Sequence, residues 1–338
     1  MENQKKIHPI TIVFLLFTCL LAACQHTTVS NPMADPSVFS FDSLTQLSNY
    51  PLYEFHYIGD YGFASFLGSG KRSVFQETPT QASFACSSFA ALGDPKNKIF
   101  GRNFDWYEHP AMVLYTDPPD GYASISLVDL HYLGYDSENT PFDNPEALRR
   151  APWLPFDGMN ENGVVISMMA VDHADGIGQT NKIILEDLEV IRLVLDYTKN
   201  VPEAIELLKQ YYVLFEEVPI HYLIADAEGN SVIVEYLNGE PVFILNQQKW
   251  QVSTNFLLTE EEPQVDKSSC WRYNAIYGYL EPQQGIIDAT AAMDLLANVS
   301  QDGSNGTRWS AVYDSGRLTL DLAVNRKFEE IFTIKLKN

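Results

Sequence analysis

The sequence predicts an α+β fold in which packed sheets are covered by helices. Three observations carry this. Runs of β-branched and aromatic residues, each bounded by Gly, Pro, Asp or Asn, dominate the chain from Phe84 onward. Apolar residues at helical spacing are confined to one block in mid-chain and one near the end. Strands and helices therefore come in blocks, without the strand–helix alternation that a parallel doubly wound sheet needs.

Order is expected to begin near Leu52, where Tyr53, Phe55 and Tyr57 alternate as in a strand. Ile58 to Gly62 reads as a turn, and the short apolar stretch after it ends in a loop at Gly68-Ser69-Gly70. That glycine pair with Lys71 lacks the spacing of a phosphate-binding loop. Strands are predicted over Lys98–Trp106, Met112–Thr116, Ala123–Tyr132 and Gly163–Val171. Glu186–Tyr197 shows helical spacing, and Pro202 opens a second helix with Ala204, Ile205 and Leu208 on one face. Strands return at Ile220–Ala225, Ser231–Tyr236 and Pro241–Leu245, the first two joined by a turn at Glu228-Gly229-Asn230. Helices are predicted over about 268–281 and 288–299. A hairpin, Trp309–Tyr313 with Leu318–Ala323, follows, and no internal repeat is visible.

The chain opens with Lys5 and Lys6, an apolar run from Ile10 to Leu21, and the small residues Ala22 and Ala23 before Cys24. A basic start, a short apolar stretch and a small-residue cleavage site describe an export signal, and about a dozen apolar residues are too few to span a bilayer. Leu21-Ala22-Ala23-Cys24 resembles the bacterial lipobox, which implies lipidation of Cys24 and a protein tethered at the cell envelope. Residues 25–50, rich in Ser, Thr, Pro, Asn and Gln, read as the tether. The remaining chain has no comparable apolar run, so the membrane is expected to be met only through the lipid. The net charge of −22 leaves no basic footprint for a nucleic acid and suits solubility.

Beyond the signal two cysteines remain, Cys86 and Cys270, enough for one disulfide. Their settings argue against it: Cys270 stands beside bulky Trp271 and reads as an inert core residue, whereas Cys86 opens the most informative segment. A thiol attacks as thiolate and needs a neighbouring cation or base. The seven histidines are scattered, with no His-x-x-x-His or Cys-x-x-Cys pattern, so neither a zinc site nor a papain-like pair is visible and no cofactor is expected. A base does exist if the peptide bond before Cys86 is cut, because the freed α-amine titrates near pH 8. Arg102 would add positive charge, and Asp105 could orient the amine.

Cys86, with Arg102 at +16 and Asp105 at +19 inside Gly101-Arg102-Asn103-Phe104-Asp105-Trp106, resembles the choloylglycine hydrolase and penicillin V acylase branch of the N-terminal nucleophile (Ntn) hydrolases. Related acyltransferases and acid ceramidase-like amidases share these features. The likeness continues, in order, through Asp157 to Gly163, His221 to Asp226, Thr254-Asn255, Ser269 to Tyr273 and Trp309 to Asp314. It implies a four-layer αββα sandwich, with Cys86 as nucleophile and base, Asp105 holding its amine and Arg102 supporting its charge. It also implies a side-chain oxyanion donor at Asn255, a late arginine at Arg272 and a second oxyanion contact at Ala170, where the bile-salt enzymes usually have Asn. Ala serves equally if the donor is the backbone N–H, and the contact is lost if a side chain is needed. Separately, an aromatic content of 12% allows an apolar acyl pocket walled by Trp106 and Tyr107, although core packing accounts for these aromatics equally well.

The expected domains are thus a signal peptide (1–23), a tether (24–50), a pro-segment or small subunit (51–85) and a catalytic domain (86–338). The expected activity is hydrolysis of a linear, non-peptide amide of a small N-acyl substrate through a Cys86 thioester, after self-cleavage between Ala85 and Cys86. The alternatives are an acyltransferase using the same thioester and a catalytically silent binding lipoprotein on the same fold.

Overall fold

The computed structural model describes residues 40–72, 85–174, 182–215, 218–259 and 270–336. The export signal, Cys24, the first part of the tether and Ser269 lie outside them. The rest of the chain, Phe39–Asn338, clusters as one unit. Among the described residues no helix is long and apolar enough to cross a membrane.

In chain order the elements are β1 (Thr45–Ser48), β2 (Leu52–Ile58), α1 (Phe63–Ser69), β3 (Ser87–Ala91), β4 (Ile99–Asp105), β5 (Ala111–Asp117) and β6 (Ser124–Asp129). Then come β7 (Asp157–Asn160), β8 (Val165–Ala170), β9 (Ile184–Glu186), α2 (Asp187–Tyr197), α3 (Val201–Leu208), β10 (Tyr212–Leu214), β11 (Ile220–Ala225) and β12 (Ser231–Leu237). The chain closes with β13 (Glu240–Leu245), β14 (Trp250–Ser253), α4 (Trp271–Leu280), α5 (Ala289–Asn298), β15 (Thr307–Asp314), β16 (Thr319–Val324) and β17 (Phe332–Lys335). A nine-stranded sheet runs β1-β2-β5-β6-β7-β8-β11-β12-β13, and a six-stranded sheet runs β14-β3-β4-β15-β16-β17. Helix α2 packs on β7 and β8 of the first sheet, while α4 and α5 pack on β14, β3, β4 and β15 of the second. The two sheets face each other, giving the expected αββα sandwich.

The strand period of two builds these layers. In β3 and β4, Phe89, Ala91 and Ile99 belong to the core under α4 and α5, while Ala90, Phe100 and Phe104 belong to the core between the sheets. Gly101 sits opposite Phe89, and a Cβ there would lie 2.3 Å from the Phe89 ring, so only glycine lets that ring lie across the strand.

Three expectations are corrected. The loop expected at Gly68-Ser69-Gly70 is the end of a short helix over Phe63–Ser69; Gly70 ends it at φ +68°, a left-handed conformation that glycine adopts freely. The predicted strand over Ala123–Tyr132 stops at Asp129, whose carboxylate accepts the His131 N–H and starts a 3-10 turn over Leu130–Leu133. Strand β1 lies inside the predicted tether, paired with β2. Residues 52–72 are woven into the fold. β2 pairs parallel with β5, the Trp153 indole donates to Tyr61 O at 2.9 Å, and Arg72 Nε meets Glu189 Oε1 at 2.7 Å.

Candidate active site

Strands β3 and β4 form a hairpin in which Ser88 pairs with Arg102. Cys86 precedes β3 by one residue and shares the parity of Ser88, so alternation carries both toward the nine-stranded sheet. Ser88 Oγ reaches Ser167 Oγ on β8 at 2.9 Å. The Cys86 thiol is 1% exposed, and Arg102 Nη2 donates to Sγ at 3.7 Å.

Arg102 is fully buried and fixed at every corner. Its Nε donates to Asp157 Oδ2 at 2.7 Å and its Nη1 to Met168 O at 2.5 Å. Asp157, at the start of β7, also accepts from the Trp309 indole at 3.0 Å and from the Tyr313 hydroxyl. Trp309 and Tyr313 are two strand periods apart on β15 and so present the same face.

The site uses a buried strand edge that β7 leaves unpaired. β7 begins at Asp157, opposite Ser167, so β8 runs on past it through Met168 to Ala170. Val171 N–H is bonded to Pro219 O on the β11 side, so the N–H and C=O of Ala170 point the other way. Arg102 takes up the Met168 carbonyl, and Asn255 Nδ2 donates to the Ala170 carbonyl at 2.8 Å. The expected oxyanion donor at Asn255 therefore spends one of its two N–H bonds on Ala170.

Arg272 closes the other side. It is 7% exposed and lies in the first turn of α4, so it is no solvated helix residue. Its Nη1 donates to Cys86 O, its Nη2 donates to Asn255 Oδ1 at 2.8 Å, and Nη1 stands 3.7 Å from Asp105 Oδ2. The corner bearing Asn255 is itself held by buried His221, whose Nε2 pairs with Thr254 O at 2.6 Å.

Asp105 ends β4. Its carboxylate accepts from Thr307 Oγ1 at 2.5 Å and from Gln301 Nε2 at 2.6 Å. Burial pushes the Asp105 carboxyl above its ordinary range, against the pull of Thr307, Gln301 and the two arginines. Burial likewise raises the Cys86 thiol, opposed by the Arg102 charge, the Asp105 N–H and Arg272. Among the described residues no group of three or more His, Cys, Asp or Glu could hold a metal ion.

Residues 151–335, more than half of the chain, match the family of acyl-coenzyme A:6-aminopenicillanic acid acyl-transferase. The chain belongs to that family. Its fold is that of the Ntn hydrolases acting on linear amides. Penicillin V acylase from Agrobacterium tumefaciens superposes with a TM-score of 0.55 at 19% identity, covering 74% of this chain and 86% of that one. A variant of the conjugated bile acid hydrolase from Clostridium perfringens gives 0.55 at 14% identity, over 74% and 92%. An uncharacterized protein of Paramecium bursaria Chlorella virus 1 is 33% identical over 95 residues, which are 25% of this chain and 34% of that protein. The chain thus spans about a third of the length of the curated relative it matches.

The acyl-transferase family match begins after Cys86, Arg102 and Asp105, yet the fold brings Asn255 and Arg272 from the matched region onto them. All six residues expected at the site, Cys86, Arg102, Asp105, Ala170, Asn255 and Arg272, fall in one connected cluster. Sequence reasoning gave no role to Asp157, Gln301 or Thr307. Asp157 had a signal, as the first residue of the Asp157 to Gly163 likeness; Gln301 and Thr307, beyond α5, had none. Cys270 is half-buried, with Thr254 Oγ1 at 3.3 Å from its Sγ, and both described cysteines are free. Of the two expected pocket walls, Trp106 is buried and Tyr107 is 46% exposed.

Proposed function

We propose that the chain is a cysteine Ntn amidohydrolase that cleaves the linear amide of a small N-acyl substrate. The observation that carries this is the convergence on Cys86 Sγ and its flanking peptide of two buried arginines and the Asp105 carboxylate. In this reading cleavage at Ala85–Cys86 frees the α-amine, which takes the thiol proton while Asp105 orients it. The thiolate attacks the amide carbonyl, and the oxyanion is met by the second N–H of Asn255 and the outward-facing Ala170 N–H. The amine then hands its proton to the leaving amine, and water opens the thioester. Arg102 and Arg272 hold the nucleophile, its carbonyl and Asn255 in place.

Residues 51–72 are bonded into the nine-stranded sheet and onto α2, which supports their retention as a small subunit after the cut. The lipobox-like Cys24 supports export and anchoring at the envelope. An acyltransferase is the second reading, favoured by the family match; it differs only in the acceptor that opens the thioester. The experiment is a panel of N-acyl amides, with and without added amine acceptors, read by mass spectrometry beside the Cys86→Ala variant. Release of free acid by wild type only is expected. Transfer to the amine would favour the second reading, and turnover by Cys86→Ala would overturn both.

A further inference from the structure

The peptides on either side of Cys86 are held by the fold. Ala85 N donates to Asp105 O at 3.4 Å, and Arg272 holds Cys86 O. The Ala85 carbonyl, which self-cleavage must attack, accepts from Gln301 Nε2 at 3.1 Å. The same amide nitrogen donates to Asp105 Oδ2 at 2.6 Å. A primary amide has two N–H bonds, so one is committed to Asp105 and the other aims at the Ala85 oxygen. Gln301 cannot turn away easily: its backbone N–H bonds Thr307 Oγ1 at 2.8 Å, and its carbonyl accepts the Thr307 N–H at 2.9 Å.

We infer that Gln301 is the oxyanion donor of the maturation cut, a catalytic residue for a step distinct from substrate hydrolysis. The inference rests on the proposed self-cleavage at Cys86. Cys86 Sγ adds to the Ala85 carbonyl carbon through a five-membered ring, and charge builds on the Ala85 oxygen against the Gln301 N–H. The bond from Ala85 C to Cys86 N breaks, the thiol proton ends on that nitrogen, and Ala85 is left as a thioester on Sγ. Water then adds to the thioester carbonyl, again placing charge on the oxygen facing Gln301. Breaking the C–S bond returns the thiol and releases the Ala85 carboxylate. A donor about 3 Å from a carbonyl and already fixed by Asp105 loses little freedom as the charge grows, which is what makes such a group effective. After the cut its second N–H loses the Ala85 oxygen, while its bond to Asp105 persists beside the new α-amine.

The test uses the full chain. Wild type, Gln301→Ala, Gln301→Glu and Cys86→Ala are followed after synthesis by gel and intact mass, with N-terminal sequencing of the large fragment and a melting curve for each. Gln301→Ala and Gln301→Glu are expected to be cut about 100- to 1000-fold more slowly than wild type, the usual effect of losing one oxyanion donor. Below the carboxyl pKa, the Glu variant regains an O–H that can donate. Its cleavage rate relative to wild type should therefore rise as pH falls. If Gln301→Ala does not fold, a flat pH ratio for Gln301→Glu overturns the inference. Cutting of Gln301→Ala at the wild-type rate also overturns it, with Cys86 maturation intact. An active wild type that is never cut, or a Cys86→Ala chain that still is, removes the maturation itself.

Discussion

Replacing Asp157 by Asn tests how the thiol's cation is held. Asp157 and Arg102 are both fully buried and joined at 2.7 Å, and Asp157 also takes the Trp309 indole and the Tyr313 hydroxyl. Asn keeps the shape and one acceptor but removes the charge, which strands the guanidinium between two sheets. Removing one partner of a buried ion pair costs about 3–5 kcal/mol. The unit Phe39–Asn338 spans 300 residues, and at about 2.1 cal/mol/K per residue its unfolding entropy is roughly 0.6 kcal/mol/K. The expected fall in Tm is therefore about 5–8 °C. Calorimetry in a Cys86→Ala background keeps the chain uncut, so stability is read apart from maturation. The double variant Arg102→Met/Asp157→Leu should recover more than half of the loss, because it leaves no unpaired charge. A fall below about 2 °C for Asp157→Asn would mean that Met168 O alone holds Arg102, and the reasoning from the ion pair would fail.

Three further outcomes follow from the site and the N-terminal segment. Asp105→Ala should lower amide hydrolysis by about 100-fold or more, measured as turnover per mature chain; near-normal turnover would make its bonds to Thr307 and Gln301 purely structural. Burial raises the Cys86 thiol and only thiolate is alkylated, so iodoacetamide labelling of Cys86 in uncut Gln301→Ala should reach half-maximal rate above pH ~8.5; a lower midpoint, read by peptide mass, would refute the burial argument. Cys24→Ser should move the protein from the membrane fraction to the soluble one, and unchanged sedimentation would refute lipidation there.

What could be read from the sequence followed from local chain connectivity. Cys86, Arg102 and Asp105 lie on one hairpin, where the strand period and a short connection fix which side chains share a face. Their spacing therefore carried the family resemblance, and the blocks of strand and helix carried the layers. The loop expected at Gly68–Gly70 failed for a related reason: glycine signals both a loop and a helix C-terminus, and only the backbone at Gly70 separates them.

The rest was decided in three dimensions. Arg272 looks like any arginine on a polar helix turn until α4 packs on β3 and aims it at the Cys86 carbonyl. Asp157 reaches Arg102 across the gap between the sheets. Thr307 meets Asp105 because β15 pairs beside β4, a neighbour 202 residues away along the chain. Gln301 arrives with the turn that leads into that strand. Side-chain periodicity encodes which face a residue takes within its own element; it holds no record of which distant element that face will meet. The pairing of Cys86 with the nearby Arg102 was therefore legible in the sequence, whereas the groups that fix both in place appeared only when the sheets closed on each other.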